Sequence, residues 1–124
     1  MIAYTILGTN HAEQALSFYD ALLAELGGKR AVEVDRVTLY AGADGTPLFG
    51  VALPADGAPA SVGNGSMIAL SAGSPAEVDR LHAKALELGA TDEGAPGARE
   101  NKGLAFYAGY FRDPDGNKLN FFHM

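Results

Sequence analysis

The stretch Tyr110-Phe111-Arg112-Asp113-Pro114-Asp115-Gly116-Asn117-Lys118-Leu119-Asn120 decides how this chain is read. An apolar and aromatic run ends at Arg112, and another resumes at Lys118. Between them Asp113–Asn117 is a turn with a mechanism. Proline presets its own backbone dihedral, and glycine supplies the conformation that other residues avoid. Leu104–Arg112 and Lys118–Phe122 are therefore predicted strands of one hairpin.

The same grammar occurs earlier in the chain. Arg36–Ala41 and Pro47–Leu53 flank Gly42-Ala43-Asp44-Gly45, a turn by composition. Each hairpin is preceded by an amphipathic stretch. Leu16, Tyr19, Leu22, Leu23 and Leu26 recur at three- and four-residue steps, as do Val78, Leu81, Ala85 and Leu88. Each set makes one apolar stripe on a helix, which has to be buried. Asn10-His11-Ala12-Glu13 and Ser74-Pro75-Ala76-Glu77 both fit a capping box, with Pro75 at the first helical position. Gly27 and Gly89 stand where a left-handed C-cap belongs. Short apolar strands, Tyr4–Leu7 and Met67–Leu70, precede the two helices. The chain thus reads as two βαβββ modules, residues 1–53 and 66–124. One strand of the second module is weakly marked, around Asp92–Ala95. Pro54–Gly65, rich in Gly, Pro, Ala and Ser, reads as a linker.

Bulk properties narrow the function. A length of 124 residues, 48% hydrophobic and 19% charged, is enough for one domain with a core. A net charge of -6 repels phosphate backbones, so no nucleic-acid partner is expected. The absence of cysteine excludes disulfides, thiolate metal sites and cysteine nucleophiles. Met1–Thr5 lacks the basic and apolar regions of a signal peptide, and no apolar run approaches the roughly 20 residues that span a bilayer. A cytoplasmic protein without a membrane partner is the expectation.

The duplicated plan resembles the vicinal-oxygen-chelate superfamily, which contains glyoxalases, bleomycin resistance proteins and dioxygenases. Phe18-Tyr19 looks like the Phe-Tyr of that superfamily's first helix. Tyr110–Asn117 looks like its penultimate strand and final hairpin. Gly63-Asn64-Gly65 to Met67-Ile68-Ala69-Leu70 looks like the entry to its second half. The resemblance covers nearly the whole chain. It implies an α+β fold in which two βαβββ modules, each a curved mixed sheet with one helix, enclose a pocket. It also implies a homodimer.

Metal-using members of the superfamily carry four ligands, two per module, usually His, Glu or Gln. Carried over residue by residue, those positions fall on Tyr4, Phe49, Met67 and Asn120. Phe49 is placed by repeat symmetry, since Gly45-Thr46-Pro47-Leu48-Phe49 mirrors Gly116-Asn117-Lys118-Leu119-Asn120. None of the four is a good ligand for a hard divalent ion. Phenol is protonated at neutral pH, thioether is soft, amide is weak and phenylalanine has no donor. The expectation is therefore no metal and no other cofactor, with these four residues lining a pocket that is apolar apart from a few polar handles. The bland alternative is that they fill a core.

Other residues are candidates for ligand contact. Tyr107, Tyr110 and Arg112 lie on the strand before the final hairpin, with Tyr107 on the opposite face from the other two. Arg112 could clamp an anion, or simply pair with Asp113 or Asp115. Gly94–Gly103 reads as a loop whose Arg99 and Lys102 could recruit an anion, or be merely solvated. His11, Glu33 and Glu93 are the candidates for acid–base work, and no spacing singles one out. His11, His82 and His123 show no close ligand spacing. No serine elbow, phosphate loop or dinucleotide fingerprint is present. Three readings follow: a metal-free binder of a small organic molecule, a lyase, isomerase or dioxygenase with an unrecognised site, or an interaction domain with a filled pocket.

Overall fold

Both amphipathic stretches are helices, and every apolar run beside a turn is a strand. The computed structural model describes all residues from Met1 to Met124, and the chain divides into two units, Met1–Val62 and Gly63–Met124. The segment read as a linker thus lies mostly with the first unit.

The first unit runs β1 (Tyr4–Gly8), α1 (Ala12–Ala24), β2 (Lys29–Val34), β3 (Val37–Ala41) and β4 (Leu48–Ala52). Its sheet has the order β1-β4-β3-β2. β1 pairs parallel with β4, with Tyr4 opposite Leu48, and the other pairs are antiparallel. α1 buries Ala15, Phe18, Tyr19, Leu22 and Leu23. Phe18 joins the expected stripe, while Leu16 and Leu26 lie at its margin and stay partly exposed.

α1 does not start as expected. His11 is its N-cap, and no side chain caps it. Asn10 is turned elsewhere. Its Nδ2 donates to the Ala60 carbonyl at 3.1 Å, and its Oδ1 accepts from the Ala60 N–H at 2.7 Å. An asparagine side chain matches a peptide unit donor for acceptor, and this pairing competes with capping.

The second unit runs β5 (Ile68–Ser71), α2 (Pro75–Glu87), β6 (Thr91–Asn101), β7 (Leu104–Arg112) and β8 (Lys118–His123). Its sheet order, β5-β8-β7-β6, repeats that of the first unit, with β5 and β8 parallel. Here the capping logic holds. Ser74 Oγ accepts from the Glu77 N–H at 3.1 Å, and the Glu77 carboxylate accepts from Gly73 N–H, one residue before the expected partner. Val78, Leu81 and Ala85 are fully buried. For a side chain the size of Val78 or Leu81, full burial contributes about 1.5–3 kcal/mol.

The weakly marked strand is in fact the longest. β6 covers eleven residues, including most of the stretch read as a loop. Its pairing with β7 breaks register at Asp92/Gly94 and Gly94/Gly97. Those irregularities erase the period-two alternation by which a strand is recognised. The β6–β7 turn is Lys102-Gly103, both at positive φ (48° and 86°), as a two-residue hairpin of this hand requires.

The turn at Asp113–Asn117 is held by one carboxylate. Asp113 Oδ1 accepts from the N–H groups of Asp115 and Asn117 at 3.0 and 2.9 Å, and Oδ2 accepts from Asn117 Nδ2 at 3.0 Å. No helix in either unit is long and apolar enough to cross a membrane.

Candidate functional site

Strand alternation divides each sheet into a face packed on its helix and an open face. On β7, Tyr107, Gly109 and Phe111 face α2. Tyr107 Oη donates to Asp79 Oδ1 at 2.7 Å, and the ring of Phe111 stacks on Phe121 at 5.1 Å. That hydrogen bond holds the Tyr107 phenol above its ordinary pKa. Gly109 lies under His82: an added Cβ there would stand 3.1 Å from His82 Cδ2. The buried His82 ring has Nε2 3.0 Å from the Tyr110 carbonyl and 3.2 Å from Asp92 Oδ1.

The open face of the second unit carries the other set. Phe106 stacks on Phe122 at 5.3 Å. Tyr110 lies directly across from Asn120, and Arg112 across from Lys118. Two cations flank the Tyr110 ring, Arg99 at 5.7 Å and Lys118 at 5.6 Å from its centroid. Arg99 Nη2 donates to the Ala95 carbonyl at 2.7 Å, which fixes the guanidinium. Arg112 takes Glu93 from the neighbouring strand as its carboxylate partner, at 3.0–3.1 Å, and donates to the Gly116 carbonyl. Its expected partner was Asp113 or Asp115. Asn120 is only 2% exposed, and its Oδ1 has no hydrogen-bond partner.

The sequence-derived candidates therefore divide. Tyr110, Arg99 and Asn120 share one face, and Arg112 stands at its edge in an ion pair. Tyr107 is on the helix face. Lys102 sits at the tip of the β6–β7 hairpin, away from Tyr110 in the strand register. Met67 immediately precedes β5 and is 46% exposed. Lys118 was not among the candidates. Its signal was present in the spacing, since it lies two residues before Asn120 and so shares its face.

In the first unit, Tyr4 is 55% exposed and belongs to the open face with Ile6 and Leu39. Phe49 points the other way. Its ring lies 4.8 Å from Tyr19 of α1 and 6.5 Å from Tyr40, so it packs in the core beneath the helix. Repeat symmetry had put it with Tyr4. The residues of β4 on the open face are Leu48, Gly50 and Ala52. A cleft of about 400 Å³ opens beside Ile6, Arg36, Leu53, Pro54 and Pro59, with Arg36 held by the Leu53 carbonyl at 2.9 Å.

Two of the three candidate acid–base groups, both glutamates, are tied down. Glu33 pairs with Arg30 at 2.7 Å and Glu93 with Arg112 at 3.0 Å. His11 is exposed at the start of α1, and His123 Nδ1 lies 3.0 Å from the Ala72 carbonyl. No three His, Cys, Asp or Glu side chains come together in a group suited to a metal ion. The donor set at the carried-over positions does not fit a divalent metal either: a phenol, a thioether, an amide and a ring buried against a helix. The strongest electrostatic coupling lies on the helix face of the first unit. Arg30 grips Asp20 with bonds of 2.8 and 2.7 Å and holds its carboxyl below the ordinary range, while burial raises the Tyr40 phenol that donates to the same carboxylate.

Comparison with known proteins agrees with this architecture. The family model described as the Glyoxalase/Bleomycin resistance protein/Dioxygenase superfamily matches residues 1–121. A glyoxalase/bleomycin resistance protein from Albidiferax ferrireducens is 38% identical, superposes with a TM-score of 0.90, and is matched over 100% of this chain and 99% of its own. A family enzyme from Burkholderia phytofirmans (17% identity, TM-score 0.74, 97% and 95% covered) and a glyoxalase-related enzyme from Fulvimarina pelagi (20%, 0.73, 98% and 86%) share the fold. No curated protein matches the chain.

Proposed function

We propose that this chain, which belongs to the glyoxalase/bleomycin resistance protein/dioxygenase superfamily, binds a small organic molecule on the open faces of its sheets without using a metal. The observation that carries this reading is the donor set at the superfamily's ligand positions. Tyr4 and Asn120 offer hydrogen bonds and Met67 offers apolar surface; on β4, Phe49 is committed to the core and its open-face neighbour Gly50 has no side-chain donor. Such a mixture of apolar surface and a few polar groups suits recognition of an organic ligand better than Lewis-acid chemistry.

The same reading makes the protein a cytoplasmic homodimer. In its support, Tyr4, Ile6, Val32 and Val34 leave an apolar stripe exposed on the first unit's open face, which a second copy would cover.

The test is elemental analysis of protein purified without chelator or histidine tag, joined to a thermal-shift screen of small organic compounds. The expected result is no retained ion and a ligand-dependent rise in melting temperature. A near-stoichiometric divalent ion that survives dialysis would overturn the metal-free reading. A melting temperature that no compound moves would overturn the binding reading.

A further inference from the structure

We infer that Asn64 is a site of spontaneous covalent modification. The Gly65 backbone nitrogen attacks its side-chain amide, and aspartate or isoaspartate is left just ahead of β5.

The sequence offers four places where Asn or Asp precedes glycine: Asp44-Gly45, Asp56-Gly57, Asn64-Gly65 and Asp115-Gly116. Glycine leaves its own nitrogen uncrowded, so each pair could close a five-membered ring onto the side-chain carbonyl carbon. The structure separates them. The N–H of Gly45 donates to the Gly42 carbonyl at 3.1 Å, that of Gly57 to the Pro54 carbonyl at 3.1 Å, and that of Gly116 to the Asp113 carbonyl at 2.9 Å. An N–H engaged in this way is aimed at its acceptor and gives up its proton less readily. The Gly65 N–H has no partner, and neither has the Asn64 side chain.

The surroundings leave room for the reaction. Residues 61–67 are all exposed. The Ser66 N–H reaches the Gly63 carbonyl at 3.3 Å across Asn64 and Gly65, and Gly65 stands at φ 94°. This is a turn with glycine at its second central position. A Cβ added to Gly65 would meet nothing within 4 Å. The other asparagines are held in place. Asn10 is bonded through both amide atoms to Ala60, Asn117 donates to Asp113, Asn120 is 2% exposed, and Asn101 lies in β6. Each of them precedes a residue larger than glycine.

The step balances with water alone. Solvent base takes the Gly65 N–H proton, and the nitrogen attacks Asn64 Cγ. The N–Cγ bond forms, the Cγ–Nδ2 bond breaks, and the amide nitrogen takes a proton from water and leaves as ammonia. A second water opens the ring at either carbonyl. One opening gives aspartate. The other gives isoaspartate, whose main chain runs through the side-chain carbon. Either product adds a negative charge to a chain already at -6, and isoaspartate lengthens the main chain by one carbon.

The experiment is timed incubation of the full chain in mildly alkaline buffer, folded and in urea, followed by peptide mapping with mass spectrometry. An isoaspartate-specific carboxyl methyltransferase serves as the second readout. In the folded chain, position 64 is expected to convert at least about tenfold faster than any other asparagine and than isomerisation at the three Asp-Gly pairs. Urea should release the glycine amides of those pairs and speed their isomerisation, while conversion at Asn64 changes little. Asn64→Gln should remove the main methyl-accepting site, because its longer side chain would have to close a six-membered ring. Conversion of Asn64 only in urea, or in the folded chain no faster than at the other asparagines, would overturn the inference.

Discussion

On the first unit's open face stand Tyr4, Ile6, Val34 and Leu39; on the second's stand Arg99, Tyr110, Lys118 and Asn120. The strand order beneath them is the same. The helix faces differ too. α1 is tied to its sheet by a charged trio, Asp20, Arg30 and Tyr40, while α2 is tied by a buried histidine on a carbonyl and a phenol on Asp79. Apolar periodicity and turn chemistry specify the repeated plan. The positions between the core residues are free to diverge, and there the two units carry different chemistry.

The largest expected effect asks whether the cores are equally indispensable. Phe121→Ala in the second unit should cost about 3–5 kcal/mol and Leu22→Ala in the first about 2–5 kcal/mol, read by urea unfolding. Both side chains are fully buried. A loss under 1 kcal/mol for either would mean that unit's core tolerates a void.

Gly50→Val probes the open face of the first unit. A Cβ there would stand 2.6 Å from Leu39 Cδ2 and 2.9 Å from the Thr5 carbonyl oxygen. The backbone oxygen cannot swing aside, so a loss of about 1–3 kcal/mol is expected in the same assay. No loss would show that β1 and β4 separate easily.

The helix starts sharpen the contrast. Ser74→Ala should cost about 1 kcal/mol, because it removes the acceptor of an orphan N–H. Asn10→Ala should instead loosen the stretch around Ala60, seen as faster hydrogen exchange at the Ala60 amide with little change at the first turn of α1. Exchange confined to α1 would restore the capping role.

The smallest effect is in pH. The Asp20 carboxyl is held below its ordinary value, chiefly by its hydrogen bonds to Arg30. A depressed folded value means that the group adds stability above about pH 4, and that this is lost as the pH falls through the folded value. The pair is partly exposed, so the contribution is screened. Asp20→Asn should flatten the acid limb of a stability–pH curve slightly; an unchanged limb would mean that the trio adds nothing.

Most of this fold was legible because its signals are local. Pro75 and Ser74 mark a helix start, Pro114 and Gly116 mark a turn, and the leucine spacing marks two helices. Of β6 only the start, around Asp92–Ala95, was legible, because its two register breaks scramble the alternation that identifies a strand. Of the candidate site, Asn120 and Tyr110 were readable from the last hairpin and from parity. Phe49 was misplaced because repeat symmetry was carried one residue out of register, which in a strand exchanges faces. Lys118 escaped notice although its parity with Asn120 put it on that face; the Tyr110 ring it lies over is known only from the folded sheet. The free acceptor on Asn120 is a property of three-dimensional surroundings and has no trace in sequence.

The parallel pairing of each unit's first strand with its last governs the order in which the chain can fold. The hairpins β2–β3 and β6–β7 close across two residues, whereas Tyr4 finds Leu48 only after the whole intervening chain has been gathered. Closing so long a loop costs roughly 3 kcal/mol in chain entropy before any contact offsets it. The hairpins can therefore form early and locally, and β1 and β5 join last, each waiting for a partner strand made more than 40 residues later. During synthesis the first unit can complete that closure while the strand that will receive β5 has yet to leave the ribosome.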